Sequence, residues 1–137
     1  QPAPDFSVVS LNGNPLGLAD FKGKVLLLYF WSTDCGPCVA ATPEIKKSYE
    51  TVQREFRDFR MLSLSTEISD ERVRAHVEKY DLSWPQARIG RDSKVAASYG
   101  VDGNPHYVVI DRKGIVRHSG PSGTKLDERL RGALEGK

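Results

Sequence analysis

Cys35 and Cys38 are the two cysteines of the chain, set in Phe30-Trp31-Ser32-Thr33-Asp34-Cys35-Gly36-Pro37-Cys38. Thiols two residues apart can close a very small disulfide ring, which makes attack of the second thiol on a mixed disulfide intramolecular and fast. If a helix starts here, Cys35 faces unpaired backbone N–H groups and the positive end of the helix dipole, and both favour a thiolate. Cys35 is then the expected nucleophile and Cys38 the expected resolving thiol. Pro37 stiffens the loop and suits a first helical turn, where no donor is lost. Rival readings of the pair are weaker. Structural zinc wants four ligands, there is no second cysteine pair, and His76, His106 and His118 show no metal spacing. A structural disulfide closing so short a loop removes little unfolded-state entropy.

The flanking pattern supplies the elements that must hold this pair. Val25-Leu26-Leu27-Leu28-Tyr29-Phe30-Trp31 is apolar on both faces, as a central strand covered on each side should be. From Cys38 to Phe59 the apolar residues Val39, Ile45, Tyr49, Val52 and Phe56 fall at approximate helical spacing, with Pro43 expected to kink the helix. Ahead of these lies a short strand at 6–9, followed by the turn signal Asn12-Gly13. Met61–Ser65 reads as a second long strand, and Ser69 as the N-cap of a helix whose inner stripe is Val73, Val77 and Tyr80. A short helix is expected from Ser93 to Tyr99, ended by Gly100. His106–Ile110 and Ile115–His118 then form a hairpin across Asp111–Gly114, and Leu126, Leu130 and Leu134 mark a closing helix. The expected order is β-β-α-β-α-α-β-β-α, an α/β fold with early parallel crossovers and a late antiparallel hairpin.

At 137 residues the chain fits one domain, 1–137. A formal net charge of +2 does not imply nucleic acid, and the longest apolar run is far shorter than a membrane span. The domain itself is expected to make no membrane contact. The opening Gln1-Pro2-Ala3-Pro4 lacks an initiating Met, which suggests a trimmed or processed end. A removed signal or anchor would leave no trace.

The segment Gly23–Cys38, with Pro43 five residues on, resembles the active-site region of the thioredoxin superfamily. More narrowly, and from Pro4-Asp5-Phe6 onward, the chain is similar to the TlpA/ResA-like extracytoplasmic thiol:disulfide oxidoreductases, with a domain of the Redoxin type. The resemblance covers nearly the whole chain. It implies a thioredoxin-like fold, a mixed sheet with helices on both faces, and an inserted strand–helix unit at about 60–80. It further implies a redox disulfide in place of any cofactor or metal. The implied partners are protein disulfide or dithiol substrates and an upstream thiol donor, met by a monomer outside the cytoplasm. Val101–Asp111 resembles the stretch that carries the family's cis-proline, making Pro105 the candidate. A cis bond there would turn the Asn104 backbone toward an extended substrate. Trp31, Asp34, Gly36, Pro37, Asn104 and Pro105 are the implied substrate contacts.

Departures from the family pattern sharpen the expectations. Ordinary thioredoxins carry a buried Asp where this chain has Tyr29. A Glu after the inserted strand is thought to serve the ResA-like group instead, and Glu67 matches that place. It is either the base for Cys38 or a solvated residue in a helix-entry loop. His106 follows Pro105 and is expected to pack at the strand's start, while His76, among charges on a helix, is expected to be solvated. Asp34 stands where the family usually has Trp. Its charge should trim the Cys35 thiolate without cancelling the helix terminus, or its carboxylate should accept a hydrogen bond from the 36–38 backbone. The favoured reading is a reductase of protein disulfides. A thioredoxin-fold peroxidase is the first alternative, although only half of its signature survives, with Leu28 where Pro is required and Ser32 in place. A non-catalytic binding module is the second.

Overall fold

All seven residues of Val25–Trp31, strand β3, are buried, and alternate side chains enter two different cores. Val25, Leu27, Tyr29 and Trp31 face the cluster built with Ile45, Val52, Val73 and Leu130, while Leu26, Leu28 and Phe30 face one built with Phe6, Val8, Ala96 and Tyr99. That two-sided burial accounts for a run with no polar alternation. The computed structural model describes residues 1–67 and 69–136. Ile68 and Lys137, which fall within the expected insert and the expected single domain, lie outside them.

The remaining elements are β1 (Ser7–Val9), β2 (Pro15–Gly17), a 3-10 turn at Leu18–Phe21, α1 (Gly36–Glu55), β4 (Phe59–Ser65) and α2 (Asp70–Tyr80). After them come β5 (Gln86–Arg88), α3 (Lys94–Ser98), β6 (His106–Ile110), β7 (Val116–Gly120) and α4 (Leu126–Leu134). The main sheet has the order β5-β4-β3-β6-β7, so β3 is its middle strand. Strands β3, β4 and β5 run parallel, and β6 and β7 are antiparallel. Helices α1, α2 and α4 contribute to one core; α3 and the N-terminal segment cover the other. This is a thioredoxin-like fold, with β4 and α2 in the span where a strand–helix insert is expected.

Several boundaries differ from the sequence expectation. Helix α1 ends at Glu55, and Phe59 instead opens β4, fully buried opposite Val25. Pro43 lies inside α1 without ending it. Strand β7 starts one residue late and runs to Gly120, shifted by an irregularity between Val109 and Ile110. Strands β2 and β5, three residues each, are additions to the expected order. Ser69 caps α2 as expected, and Ser93, expected as the first residue of α3, is instead its N-cap; each accepts a backbone N–H two or three residues ahead. The Asn104–Pro105 peptide bond is cis.

Candidate active site

Strand β3 delivers the chain to the C-terminal edge of the sheet, and Ser32–Asp34 turn it into α1. Cys35 is the N-cap of that helix, and its Sγ accepts the Cys38 backbone N–H at 3.2 Å. Cys35 and Cys38 form a disulfide. The two sulfurs differ in setting, since Cys35 is half-buried while Cys38 is 0% exposed. A substrate sulfur therefore has access to Cys35, and Cys38 is reached only from within. The Cys38 carbonyl accepts the hydroxyls of Tyr29 at 3.4 Å and Thr42 at 3.3 Å.

Tyr29, at the place where ordinary thioredoxins carry Asp, packs on Tyr107 with ring centroids 5.1 Å apart. Burial, and after it the neighbouring Tyr107, pushes the Tyr29 phenol far above its ordinary value, so it is a neutral donor and no base. Glu67 is 3% exposed, which removes the reading of a solvated loop residue. Its carboxylate accepts the Thr33 hydroxyl and, at 3.3 Å, the Thr33 backbone N–H, two residues before Cys35.

Asp34 takes neither of its expected backbone partners. Cys35 caps the helix itself, and Asp34 accepts the Ser32 hydroxyl at 2.5 Å and pairs with Arg91 at 3.0 Å. The Ser32 hydrogen bond, then Arg91, holds its carboxyl below the ordinary range although burial opposes them. Arg91 is a site residue that the sequence reading missed, because no motif marks the loop that carries it.

Gly36 and Pro37 are exposed beside the disulfide, and Asn104 and Pro105 are half-buried. Asn104 donates through its side-chain amide to Thr66 Oγ1 at 2.8 Å, which ties the cis-proline loop to the end of β4. An open groove of about 460 Å³ runs between Ser32, Asp34, Thr66, Arg91 and Asn104. Trp31 does not reach it. At 2% exposure it is covered by His76, so it supports the loop from beneath and cannot meet a substrate directly.

His76 likewise departs from expectation, being buried at 9% exposure. Its ring packs between Trp31 and Tyr80, and its Nε2 lies 2.8 Å from Thr42 Oγ1. Burial, then Lys79, holds it below the ordinary imidazole range. Positions 73, 76, 77 and 80 form an i, i+3, i+4, i+7 stripe, the signal that places His76 on the inner face. His106 packs as expected, edge-on to Phe30 and with Nε2 2.9 Å from Ser119 Oγ. No cluster of three or more metal-ligating side chains exists among the described residues.

The family comparison agrees with this geometry. The Redoxin family matches residues 1–133. The chain is a ResA-like member of the thioredoxin superfamily. It is 38% identical over 122 residues to the thioredoxin-like protein YneN of Bacillus subtilis, covering 85% of this chain and 68% of that protein. It is 32% identical over 133 residues to the thiol-disulfide oxidoreductase ResA of Bacillus thuringiensis, covering 97% and 75%. A solved thiol-disulfide oxidoreductase from Bacteroides fragilis superposes with a TM-score of 0.87 at 28% identity, over 98% of this chain and all of that one. The chain spans between 64% and 75% of the length of these and similar ResA-type relatives. A CXXC disulfide at the helix mouth of a Redoxin domain makes the chemistry thiol:disulfide exchange.

Proposed function

We propose that this thiol:disulfide oxidoreductase acts as a reductase of protein disulfides, through a single thioredoxin-like unit spanning the chain. The observation that carries the reading is the asymmetry of the pair, with an accessible Cys35 sulfur held by a helix N-terminal amide and a fully buried Cys38. Cys35 thiolate attacks a substrate disulfide, forming a mixed disulfide and releasing one substrate thiolate. Cys38 then loses its proton, attacks the Cys35 sulfur, and releases the second substrate thiolate as the internal disulfide closes. Glu67, buried behind Thr33, serves as the proton acceptor at the N-terminal end of α1. Asp34, Arg91 and Asn104 line the groove in which an extended substrate chain lies, and Gly36 and Pro37 beside the disulfide and Pro105 at the cis bond are its further contacts. An upstream thiol donor returns the pair to the dithiol. The likeness to ResA thiol-disulfide oxidoreductases favours a place outside the cytoplasm, and the domain is taken to work as a monomer. No helix of the described residues is long and apolar enough to cross a membrane.

Three measurements test this. Cys38→Ser should trap a mixed disulfide with a reducible protein such as insulin, whereas Cys35→Ser should trap none; trapping by Cys35→Ser alone would reverse the assigned roles. Redox titration against glutathione should give a potential near that of thioredoxin, about −270 mV, while a value near −120 mV would make the protein an oxidant. Glu67→Gln should slow the resolving step by about 10²-fold and spare the first attack.

A further inference from the structure

Thr42 lies one helical turn beyond Cys38 on α1, so its side chain leans back over the resolving cysteine. Its hydroxyl is 2.8 Å from His76 Nε2 and 3.3 Å from the Cys38 carbonyl oxygen. A hydroxyl has one proton to donate. With the imidazole proton on Nε2, His76 donates to Thr42 and Thr42 donates to Cys38, so each polar atom on the path is served. Trp31 and Tyr80 clamp the ring from two sides, both with centroids 4.7 Å away. The inserted helix α2 thus brings a titratable group to the floor of the redox pair, two hydrogen bonds from Cys38.

We propose that His76 is a positioning residue for the Cys35–Cys38 pair, acting through Thr42 on Cys38, and that its protonation is coupled to reduction of the pair. Reduction of the disulfide takes up two electrons and two protons to give two thiols. Ionisation of Cys35 then leaves a negative charge at the N-terminus of α1. That charge favours the imidazolium form of His76. Reduction therefore raises the proton affinity of His76, and by reciprocity a proton on His76 favours the reduced pair. The charges around the ring fit this assignment. Arg72 and Lys79 of α2 share its groove together with Thr33, and Lys46 of α1 donates to the Tyr80 carbonyl at 2.9 Å. Strand β3 presents the uncharged Trp31, while the carboxylate of Glu67 is engaged with Thr33. In the oxidised protein burial, and after it Lys79, discourages protonation of His76, and a Cys35 thiolate supplies an opposing charge.

The inference rests on the pair being redox-active, and a glutathione titration repeated from about pH 5 to about pH 8 tests it. Wild-type protein, His76→Gln and Thr42→Val are compared. In the wild type, the equilibrium constant should carry an added pH dependence of up to about tenfold per pH unit, equivalent to about 30 mV. This occurs in the window between the two pKa values of His76. Glutamine keeps a donor at similar reach without titrating, so His76→Gln should match the wild type at the alkaline end and lose the added steepness. Thr42→Val should weaken it, because the bridge that holds the ring beneath Cys38 is lost while the imidazole still titrates. NMR of the His76 ring should show a higher pKa in reduced than in oxidised wild-type protein, a comparison that needs no variant to fold. Equal ring pKa values in the two redox states, or an unchanged slope in a folded His76→Gln, overturn the coupling. A histidine that merely packs would change the melting temperature and leave the slope alone. Failure of glutathione to reduce the pair at any ratio would instead refute the redox reading itself.

Discussion

Both carboxylate oxygens of Asp34 are engaged, one by the Ser32 hydroxyl and one by Arg91, so its charge reaches Cys35 partly neutralised. The pair is half or more exposed on each side, which keeps its influence modest. Asp34→Asn should lower the Cys35 pKa and raise the reduction potential. Arg91→Ala should do the opposite by leaving the carboxylate uncompensated. Each change should alter the thiolate fraction by less than about tenfold, and the double variant should return close to wild type. Potentials from a glutathione titration at low salt and at about 1 M salt check this, because both shifts should shrink with screening. A rise in potential for Arg91→Ala would remove the compensating role. Because Asp34 stays ionised below the ordinary carboxylate range, the effect should persist throughout neutral and mildly acidic pH. The redox pair itself was legible because its chemistry is local, four residues at a strand–helix junction. Arg91 was not, since it reaches Asp34 across 57 positions from a loop without a motif. His76 was misread because its charged sequence neighbours outweighed a stripe that needed its partners Trp31 and Thr42 to be seen.

Elements with a strong period were readable, and those made by their neighbours were not. Helix α4 spans the expected residues, with Leu126, Leu130 and Leu134 all buried. Strand β6 likewise keeps its expected bounds. By contrast, β5 has three residues and exists by pairing with β4, Gln86 to Ser63 through Arg88 to Ser65. The helical spacing that carried α1 too far continued into Phe59, where pairing with β3 and full burial override the local pattern. Helix α4 supports the site from below, packing Leu130 into the same core as Tyr29 and Trp31. Leu130→Ala should therefore cost about 2–5 kcal/mol. Urea unfolding should show this as a lower midpoint at unchanged slope, with the potential of the pair unmoved. A shifted potential would mean that α4 positions the cysteines as well as the core.

For the molecule as a whole, the three histidines act together on stability. Burial is the leading cause that depresses His76, His106 and His118 below the ordinary imidazole value, with Lys79 adding to it at His76 and Arg129 at His118. The unfolded chain binds protons at all three from about pH 6.5 downward, whereas the folded chain does so only at lower pH. Their contribution is therefore complete above about pH 6.5 and is lost as pH falls through that value toward the folded pKa values. Asp58, which Arg112 holds below the ordinary carboxylate range, titrates below this window. Denaturant midpoints should fall between about pH 7.5 and about pH 5, and the fall should be shallower in His76→Gln. A flat profile over that range would mean that the imidazoles titrate alike in the folded and unfolded chain.

At the start of the chain, Pro2 bridges Ile115, Val116 donates to the Gln1 carbonyl, and Ala3 donates to the Gly114 carbonyl. These contacts lie at the hairpin end of β6, whereas the Cys35 end of the sheet lies beyond Trp31, where His106 pairs with Phe30. The molecule accordingly has a handle and a working end, separated by the length of the central strand. Any segment joined ahead of Gln1 would emerge at the handle, leaving the disulfide turned away from whatever held it and free to sweep the space beyond.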